Sequence, residues 1–310
     1  MSKPFAQPDS FKGRTVIVTG GAGSIGRPLS IALAKAGANV LVNDKGGSVT
    51  GEGSSPTPAA EVVEEIKAFG GSAVADGHDV ATESEAIVAA AIAAFGRLDV
   101  VINNAGIIRY NAVGKQTLAD FRAILEVNTI GTVGMMLAAW PLFVEQGYGR
   151  IVNFSSDSTF GAPSAAPYVV SKAAVTGATR TFALEGEPFG IKVNAVQPTS
   201  ASRMAGDTIA DPVQREAFRQ TYLGEGNLPI ILALAHESFT ENGQIFSTGA
   251  YAINHIVQGF KKGVSGLKTM EECFEAKEEI LGNDSSEVVV PHDVFDFIAK
   301  KSGITISVDL

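Results

Sequence analysis

The chain is poor in cysteine and in positive charge, and it has no long apolar run. Cys273 is the only cysteine among 310 residues, so no disulfide can form within the chain. Lysine and arginine number 24 against 33 aspartate and glutamate, a formal net charge of −9. That balance lacks the basic footprint of a nucleic-acid binder, so no nucleic-acid partner is expected. It leaves an anionic small ligand open, because a helix terminus can hold one locally. Stretches as long as the roughly 18 apolar residues of a membrane span are absent, so no membrane insertion is expected. Met1-Ser2-Lys3-Pro4 carries no apolar leader, and Val308-Asp309-Leu310 is not a Ser-Lys-Leu address. A cytoplasmic, reducing location is therefore the default expectation. His78, His236, His255 and His292 are scattered along the chain, and no metal site is expected.

Glycine, by contrast, is abundant, at 34 residues. Residues 14–26 read Arg-Thr-Val-Ile-Val-Thr-Gly-Gly-Ala-Gly-Ser-Ile-Gly: an apolar strand, a glycine-rich turn, then the start of a helix over 25–36. This is the opening of a dinucleotide-binding β-α-β unit. Gly20, Ser24, Ile25 and Gly26 are the candidates to bring backbone N–H groups to a pyrophosphate at a helix N-terminus. A second strand, 39–43, ends at Asp44, which lies 24 residues beyond Gly20. An acid at about that offset accepts from ribose hydroxyls and repels a 2′-phosphate, which favours NAD; Lys45 beside it keeps NADP open.

Residues 46–58 form a long loop rich in Gly, Ser, Thr and Pro, followed by a helix over 59–69 and a strand over 72–75. Asp79 and Val80 follow that strand; Asp79 either meets the adenine or caps the next helix, 82–95. Strand 98–102 runs into Asn104, Ala105 and Gly106, small and amide groups suited to closing on a flat cofactor. A helical region over 117–145 contains Asn128, which is unfavourable there unless its side chain or a local distortion has a purpose. Strand 150–154 ends in Ser155-Ser156, and a loop, 157–167, leads to a helix that starts near Tyr168 and runs to about 185. Strand 190–196 precedes a polar turn in which Pro198 and Ser200 are candidates to bind the cofactor. Residues 204–226 are a candidate substrate cover, 228–236 a helix and 244–247 a last strand. The more charged tail, 254–310, carries helical patterns over 270–281 and 291–301. It is expected to pack on the core, 1–253, or on a partner subunit.

Tyr168 and Lys172 are four residues apart, so a helix places them on one face. A phenol with an ordinary pKa of about 10 is lowered by a nearby ammonium, and this pair can exchange a proton with an alcohol or alkoxide. A serine hydroxyl can hold the same oxygen, Lys172 can also bond the cofactor ribose, and Asn128 can orient a water behind the lysine.

Together, Thr19-Gly20 through Gly26, Asn103-Asn104-Ala105-Gly106, Asn128, Ser155-Ser156 and Tyr168-Val169-Val170-Ser171-Lys172 resemble the short-chain dehydrogenase/reductase family. The resemblance implies an α/β Rossmann-like three-layer fold with a mostly parallel, seven-stranded sheet, followed here by a C-terminal helical extension. It also implies an Asn-Ser-Tyr-Lys catalytic set, an NAD or NADP cofactor and a homodimer or homotetramer. Val42-Asn43-Asp44 with Gly46-Gly47, Ala139-Trp140, Ser202-Arg203-Met204, His236-Glu237-Ser238 and Glu241-Asn242-Gly243 further resemble the (3R)-hydroxyacyl-CoA dehydrogenase part of peroxisomal multifunctional enzymes of type 2. That likeness implies oxidation of a 3-hydroxyacyl-CoA.

The chain departs from the pattern at several places. Family members carry Gly where it has Ser24. The family serine lies 13 residues before the tyrosine and is the second of the pair. Here Ser155 has the spacing and Ser156 the strand-end position; Ser156 is favoured, because a loop absorbs a deletion more easily than a strand shifts register. Arg109-Tyr110-Asn111-Ala112 and Asp157-Ser158-Thr159-Phe160 also differ beside the substrate. They leave open a stand-alone reductase of a bulky or polycyclic ketone, or a cofactor-dependent cyclase or isomerase.

Overall fold

The computed structural model describes residues 7, 9–201, 211–261, 264–281 and 288–289. Ser202-Arg203-Met204, the first part of the candidate cover (204–210) and the 291–301 helical pattern lie outside the described residues.

The strand-forming stretches pair into one sheet. In chain order they are β1 (Thr15–Thr19), β2 (Asn39–Asn43), β3 (Ser72–Asp76), β4 (Val100–Asn103), β5 (Gly149–Phe154), β6 (Ile191–Pro198), β7 (Ile245–Gly249) and β8 (Ala252–Ile256). The spatial order is β3-β2-β1-β4-β5-β6-β7-β8. β1 to β7 are parallel throughout. The seven expected parallel strands are thus present, and β8 adds an eighth. Ala250 and Tyr251 both have positive φ, 49° and 63°. Two such residues make the tight turn of a hairpin, so β8 returns antiparallel to β7.

Strand alternation builds a core on each face. Val16, Val18, Val100, Ile102, Val152 and Phe154 face one cluster, with α1 (Gly26–Lys35), α2 (Thr57–Ala68) and α8 (Leu228–Ala235). Ile17, Val101 and Ile151 face the other, with α3 (Ser84–Phe95), α5 (Gly131–Gln146) and α6 (Ala166–Gly186). Each fully buried apolar side chain of this kind contributes about 1.5–3 kcal/mol. α4 (Leu118–Leu125) joins α5 through a five-residue π turn, Glu126–Ile130, giving one helical run from Leu118 to Gln146. By length and composition that run is apolar enough to cross a membrane. Here Met135, Met136, Ala139 and Phe143 bury it against the sheet, which accounts for its apolarity. α7 (Pro212–Thr221) is amphipathic and begins at an Asp211 cap, whose carboxylate accepts from Val213 N at 2.8 Å.

Contacts divide the chain into Met1–His255 and Ile256–Leu310. In the second unit, β9 (Phe260–Lys261) pairs antiparallel with β10 (Val288–Val289), and α9 (Met270–Glu275) and α10 (Lys277–Leu281) occupy the helical pattern read over 270–281.

The strand order reverses between β1 and β4. Crevices at such a reversal, beyond the carboxyl ends of the strands, are where open α/β sheets bind ligands. Thr19-Gly20 and Asn103-Asn104 stand at that place.

Candidate active site

A cleft of about 460 Å3 opens at this edge. Its floor is the glycine-rich turn. Gly20 has φ +60°, and a Cβ there would lie 2.8 Å from Asn104 Nδ2; a Cβ on Gly26 would lie 2.1 Å from the Gly20 carbonyl oxygen. Both positions therefore require glycine. Asn104 Nδ2 donates to the carbonyls of Thr19 and Gly20, each at 2.8 Å, which ties the β4 end to the turn. Ala105 N donates to Thr19 Oγ1 at 3.1 Å. No side chain caps the N-terminus of α1. Its free donors and the small turn fit the pyrophosphate of a dinucleotide. Gly20, Ser24, Ile25, Ala105 and Gly106 line the cleft, and Gly26 lies beneath it as packing.

Asp44 sits beyond β2 in the same cleft. Its Oδ2 accepts from Ala22 N at 3.0 Å and its Oδ1 from Gly46 N at 2.8 Å. The carboxylate thus braces the turn while keeping lone pairs toward the cleft. Lys45 does not stand free beside it: Nζ pairs with Asp79 Oδ2 at 2.6 Å. Burial pushes the Asp79 carboxyl up, but Lys45 and the Ala81 N–H outweigh it and hold the group below its ordinary value. Asp79 and Val80 both line the cleft. The side chain of Asp79 accepts from Ala81 N, and α3 begins later, at Ser84. Asp79 therefore does both: it lines the cleft, and it caps the turn ahead of α3, its carbonyl accepting from Thr82 N and Glu83 N and its N–H donating to Glu83 Oε2 at 2.8 Å.

At the other end, Tyr168 and Lys172 project from α6. Ser156 stands at the Tyr168 hydroxyl, where it favours the ionised phenol. Ser156 is also a turn cap, its Oγ accepting from Ser158 N at 3.1 Å. Ser155 points the other way: it is 1% exposed, and its Oγ donates to the Lys172 carbonyl and pairs with Thr176 Oγ1, both at 2.9 Å. The structure brings Ser156, not Ser155, to the tyrosine.

The expected electrostatics are corrected here. The Lys172 ammonium was expected to lower Tyr168. Its Nζ instead donates to the Phe154 carbonyl at 2.7 Å and lies 5.6 Å from the Tyr168 ring centroid. Burial dominates and pushes the phenol up to about 12, against the opposing influence of Ser156. Burial also pulls Lys172 down to about 8.

Asn128 lies on the π turn and is fully buried. Such turns mark a helix widened to place a group. Its Oδ1 accepts from Ile107 N at 2.8 Å, and its Nδ2 donates to the Ile107 carbonyl at 3.0 Å and to Ser171 Oγ at 3.1 Å. The side chain clasps the loop after β4 to α6, and so positions the site. Pro198 and Ser200 line the far wall, beyond β6.

Sequence reasoning left several wall residues out. The loop after β2 contributes Gly47, Ser48, Val49 and Gly51. It is latched by Arg109, whose Nε and Nη2 donate to the Thr50 carbonyl at 3.2 Å, and by Ile108 N to the Val49 carbonyl at 3.0 Å. The length of that loop was the available signal. Asp157 and Thr199 also line the cleft; the departure at 157–160 was the signal for the first. Among the described residues no cluster of His, Cys, Asp or Glu could hold a metal ion.

A family model described as short chain dehydrogenase matches residues 14–211. The chain belongs to the short-chain dehydrogenase family. It is 40% identical over 242 residues to peroxisomal multifunctional enzyme A of Dictyostelium discoideum, covering 78% of this chain and 54% of that protein. The chain thus spans about half the length of that curated relative. The solved structure of a short chain dehydrogenase from Mycobacterium avium superposes with a TM-score of 0.75 at 30% identity, covering 91% of this chain and 99% of the other. A Beutenbergia cavernae protein solved with NADP bound at low occupancy gives a TM-score of 0.68 at 32% identity, over 78% of this chain and 97% of the other.

Proposed function

We propose that this short-chain dehydrogenase uses NAD to interconvert a 3-hydroxyacyl-CoA and its 3-ketoacyl-CoA. The observation that carries the chemistry is the convergence of Ser156, Tyr168 and buried Lys172 on one cleft wall. A bound nicotinamide supplies the hydride acceptor, or the donor in reverse. Ser156 donates to the reacting oxygen and fixes it. In reduction the Tyr168 phenol gives its proton to the forming alkoxide; in oxidation the Tyr168 phenolate, formed by loss of that proton to solvent, takes the substrate O–H proton. With its pKa pushed up to about 12, the phenol holds its proton at neutral pH and is ready to donate it. Lys172 anchors the base of the tyrosine's helix turn through Phe154 and can bond the ribose as well.

Three features support NAD over NADP. Asp44 places negative charge where a 2′-phosphate would lie, Lys45 is neutralised by Asp79, and the Asp44 oxygens are held by Ala22 and Gly46. The acyl-CoA assignment rests on the resemblance of the segments around Asp44, Trp140 and Asn242. Exposed Leu118, Ile130, Leu137, Val170 and Leu184 along the α4–α6 helices support a homo-oligomer, which light scattering of the purified protein tests.

The deciding test is cofactor-coupled turnover with (3R)-3-hydroxyacyl-CoA thioesters and both dinucleotides. Efficient reduction of NAD, with NADP at least tenfold poorer, is expected. Asp44→Ala should narrow that gap. Absence of thioester turnover, or a preference for NADP, overturns the proposal.

A further inference from the structure

The loop after β4 carries an aromatic ring that the proton exchange does not use. Tyr110 lines the cleft and is 48% exposed, so a ligand in the cleft can reach it. It belongs to Arg109-Tyr110-Asn111-Ala112, one of the stretches in which this chain departs from the family pattern.

Both of its neighbours are tied down. Arg109 holds the Thr50 carbonyl, and its Nη1 donates to Asp120 Oδ1 at 3.1 Å. Asn111 N donates to the Ser164 carbonyl at 2.8 Å. Gln116 Nε2 donates to the Asn111 carbonyl at 2.7 Å and to the Ser164 carbonyl at 3.3 Å. Ser164 has a φ of +65°, a conformation uncommon for a residue with a side chain and one that the surrounding structure must hold. It lies four residues before Tyr168, at the opening of α6. The Asn111–Ser164 bond therefore draws the Tyr110 loop to the end of the cleft where Tyr168 stands. Charge on the Tyr110 phenol would be felt at Tyr168, which it raises. The cleft encloses the rest of the Tyr110 side chain, and that burial raises its own phenol, so the group is neutral at neutral pH.

Tyr110 is thus a fixed, neutral, reachable ring at the reacting end of the cleft. An anchored aromatic side chain offers contact area at little ordering cost. Ile108, Ala162 and Ala165, from the same two tied loops, line the cleft with further apolar surface. An alkyl chain on this wall gains from buried area alone. A second aromatic ring, stacked offset or edge to face, gains roughly a further two- to twelvefold in affinity.

We infer that Tyr110 is a specificity-determining residue that receives an aromatic group on the part of the substrate that does not react. This rests on the oxidoreductase reading of the site and narrows the proposed thioesters to those with an aryl-bearing acyl chain.

The test uses two pairs of compounds that differ only in whether a ring is aromatic: 3-hydroxy-4-phenylbutanoyl-CoA against 3-hydroxy-4-cyclohexylbutanoyl-CoA, and 1-phenyl-2-propanol against 1-cyclohexyl-2-propanol. A methylene insulates each ring from the carbinol, which keeps intrinsic reactivity equal within a pair. The readout is the phenyl-to-cyclohexyl ratio of kcat/KM for the wild-type protein, Tyr110→Phe and Tyr110→Leu. A general loss of activity cancels in that ratio, so a merely structural role for Tyr110 leaves it unmoved. Cyclohexyl is at least as apolar as phenyl, so burial of area alone gives a ratio at or below one. The wild-type protein should favour phenyl by about five- to tenfold, Tyr110→Phe should keep that preference to within about twofold, and Tyr110→Leu should bring it near one. The wild-type ratio decides the matter even where Tyr110→Leu does not fold. A wild-type ratio at or below one overturns the inference, and turnover of both thioesters then leaves the acyl-CoA reading standing. A preference that Tyr110→Leu retains also overturns the inference, as does one that Tyr110→Phe loses, which would place it on the hydroxyl. A silent CoA pair beside a discriminated alcohol pair overturns the acyl-CoA reading alone. Silence on all four compounds overturns both.

Discussion

Burying Lys172 has a consequence that can be read without any substrate. The group is 4% exposed, and burial lowers its pKa from 10.5 to about 8. That displacement corresponds to about 3 kcal/mol of differential stability. The sign follows from proton counting. Between pH 8 and 10.5 the unfolded lysine holds its proton while the folded one has released it, so the unfolded state binds more protons and stability rises with pH. Below pH 8 both forms are protonated and the full penalty of the buried ammonium is present. By pH 9.5 about 2 kcal/mol of that penalty is relieved. Tyr168 acts in the opposite direction at higher pH. Its pKa rises from 10 to about 12, so the unfolded phenol ionises first and stability falls as pH rises from 10 to 12. The assay is urea denaturation of the ligand-free protein at pH 7.5, 8.5 and 9.5, beside Lys172→Met. Methionine keeps the apolar stem and removes the charge. The stability of wild type relative to Lys172→Met should rise by about 2 kcal/mol across that range, with other titrations common to both proteins. A flat difference refutes the reasoning, because it means that the buried ammonium carries no penalty.

Other substitutions separate positioning from chemistry. Ser156→Ala should lower kcat by roughly 10²–10³ through loss of a donor to the reacting oxygen. Ser155→Ala should instead lower stability by about 1 kcal/mol and change turnover only a few-fold, since its hydroxyl bonds the Lys172 carbonyl and Thr176; parallel kinetics and denaturation distinguish the two. Tyr168→Phe should abolish most turnover with dinucleotide binding retained, as seen by fluorescence titration of NADH; near-normal turnover would refute the proton role. Asn128→Ala removes three buried hydrogen bonds and leaves Ile107 N–H unpaired, a loss of about 3 kcal/mol with reduced kcat. Asp99→Ala should cost about 1–3 kcal/mol by denaturation, with kcat of the folded fraction little changed, because it leaves buried Thr15 N unpaired and takes from Arg14 and Arg97 their shared acceptor at the far end of the sheet.

Much of this was legible in the sequence because it is local. The apolar runs before Gly20, Asp44 and Asn103 could only be strands, and the glycines between strand and helix could only be turns. Asn128 was legible as an anomaly: a residue that disfavours a helix interior stands in one, and the structure answers with a π turn and a clasp on Ile107. What was hidden depends on partners distant in sequence. Whether Lys172 lowers Tyr168 is decided by a carbonyl on β5, which no spacing along α6 reveals. Likewise, the loop after β2 was recognisable as long, but its role as a cleft wall comes from Arg109, 59 residues beyond Thr50. β8 was missed because its five residues, Ala252–Ile256, are exposed or half-exposed and carry no buried alternation.

The serine register shows how packing settles what spacing leaves open. Ser155 has the family's distance to the tyrosine, so spacing alone selects it. Along β5, however, Val152 and Phe154 face the core cluster on the α1 side, and Ile151 faces the cluster on the α6 side. Asn153 follows Ile151, with Nδ2 donating to Thr179 Oγ1 on α6 at 3.0 Å. Ser155 continues that row and meets the Lys172 carbonyl and Thr176 on the same helix. Moving Ser155 into the tyrosine's reach would require a one-residue slip of β5, which would turn Phe154 and Val152 out of one core and Ile151 out of the other. Each such displacement costs about 1.5–3 kcal/mol of apolar burial, several times what a shortened surface loop costs. The missing residue is therefore taken up between Asp157 and Pro167, and the strand end carries Ser156 to the hydroxyl of Tyr168.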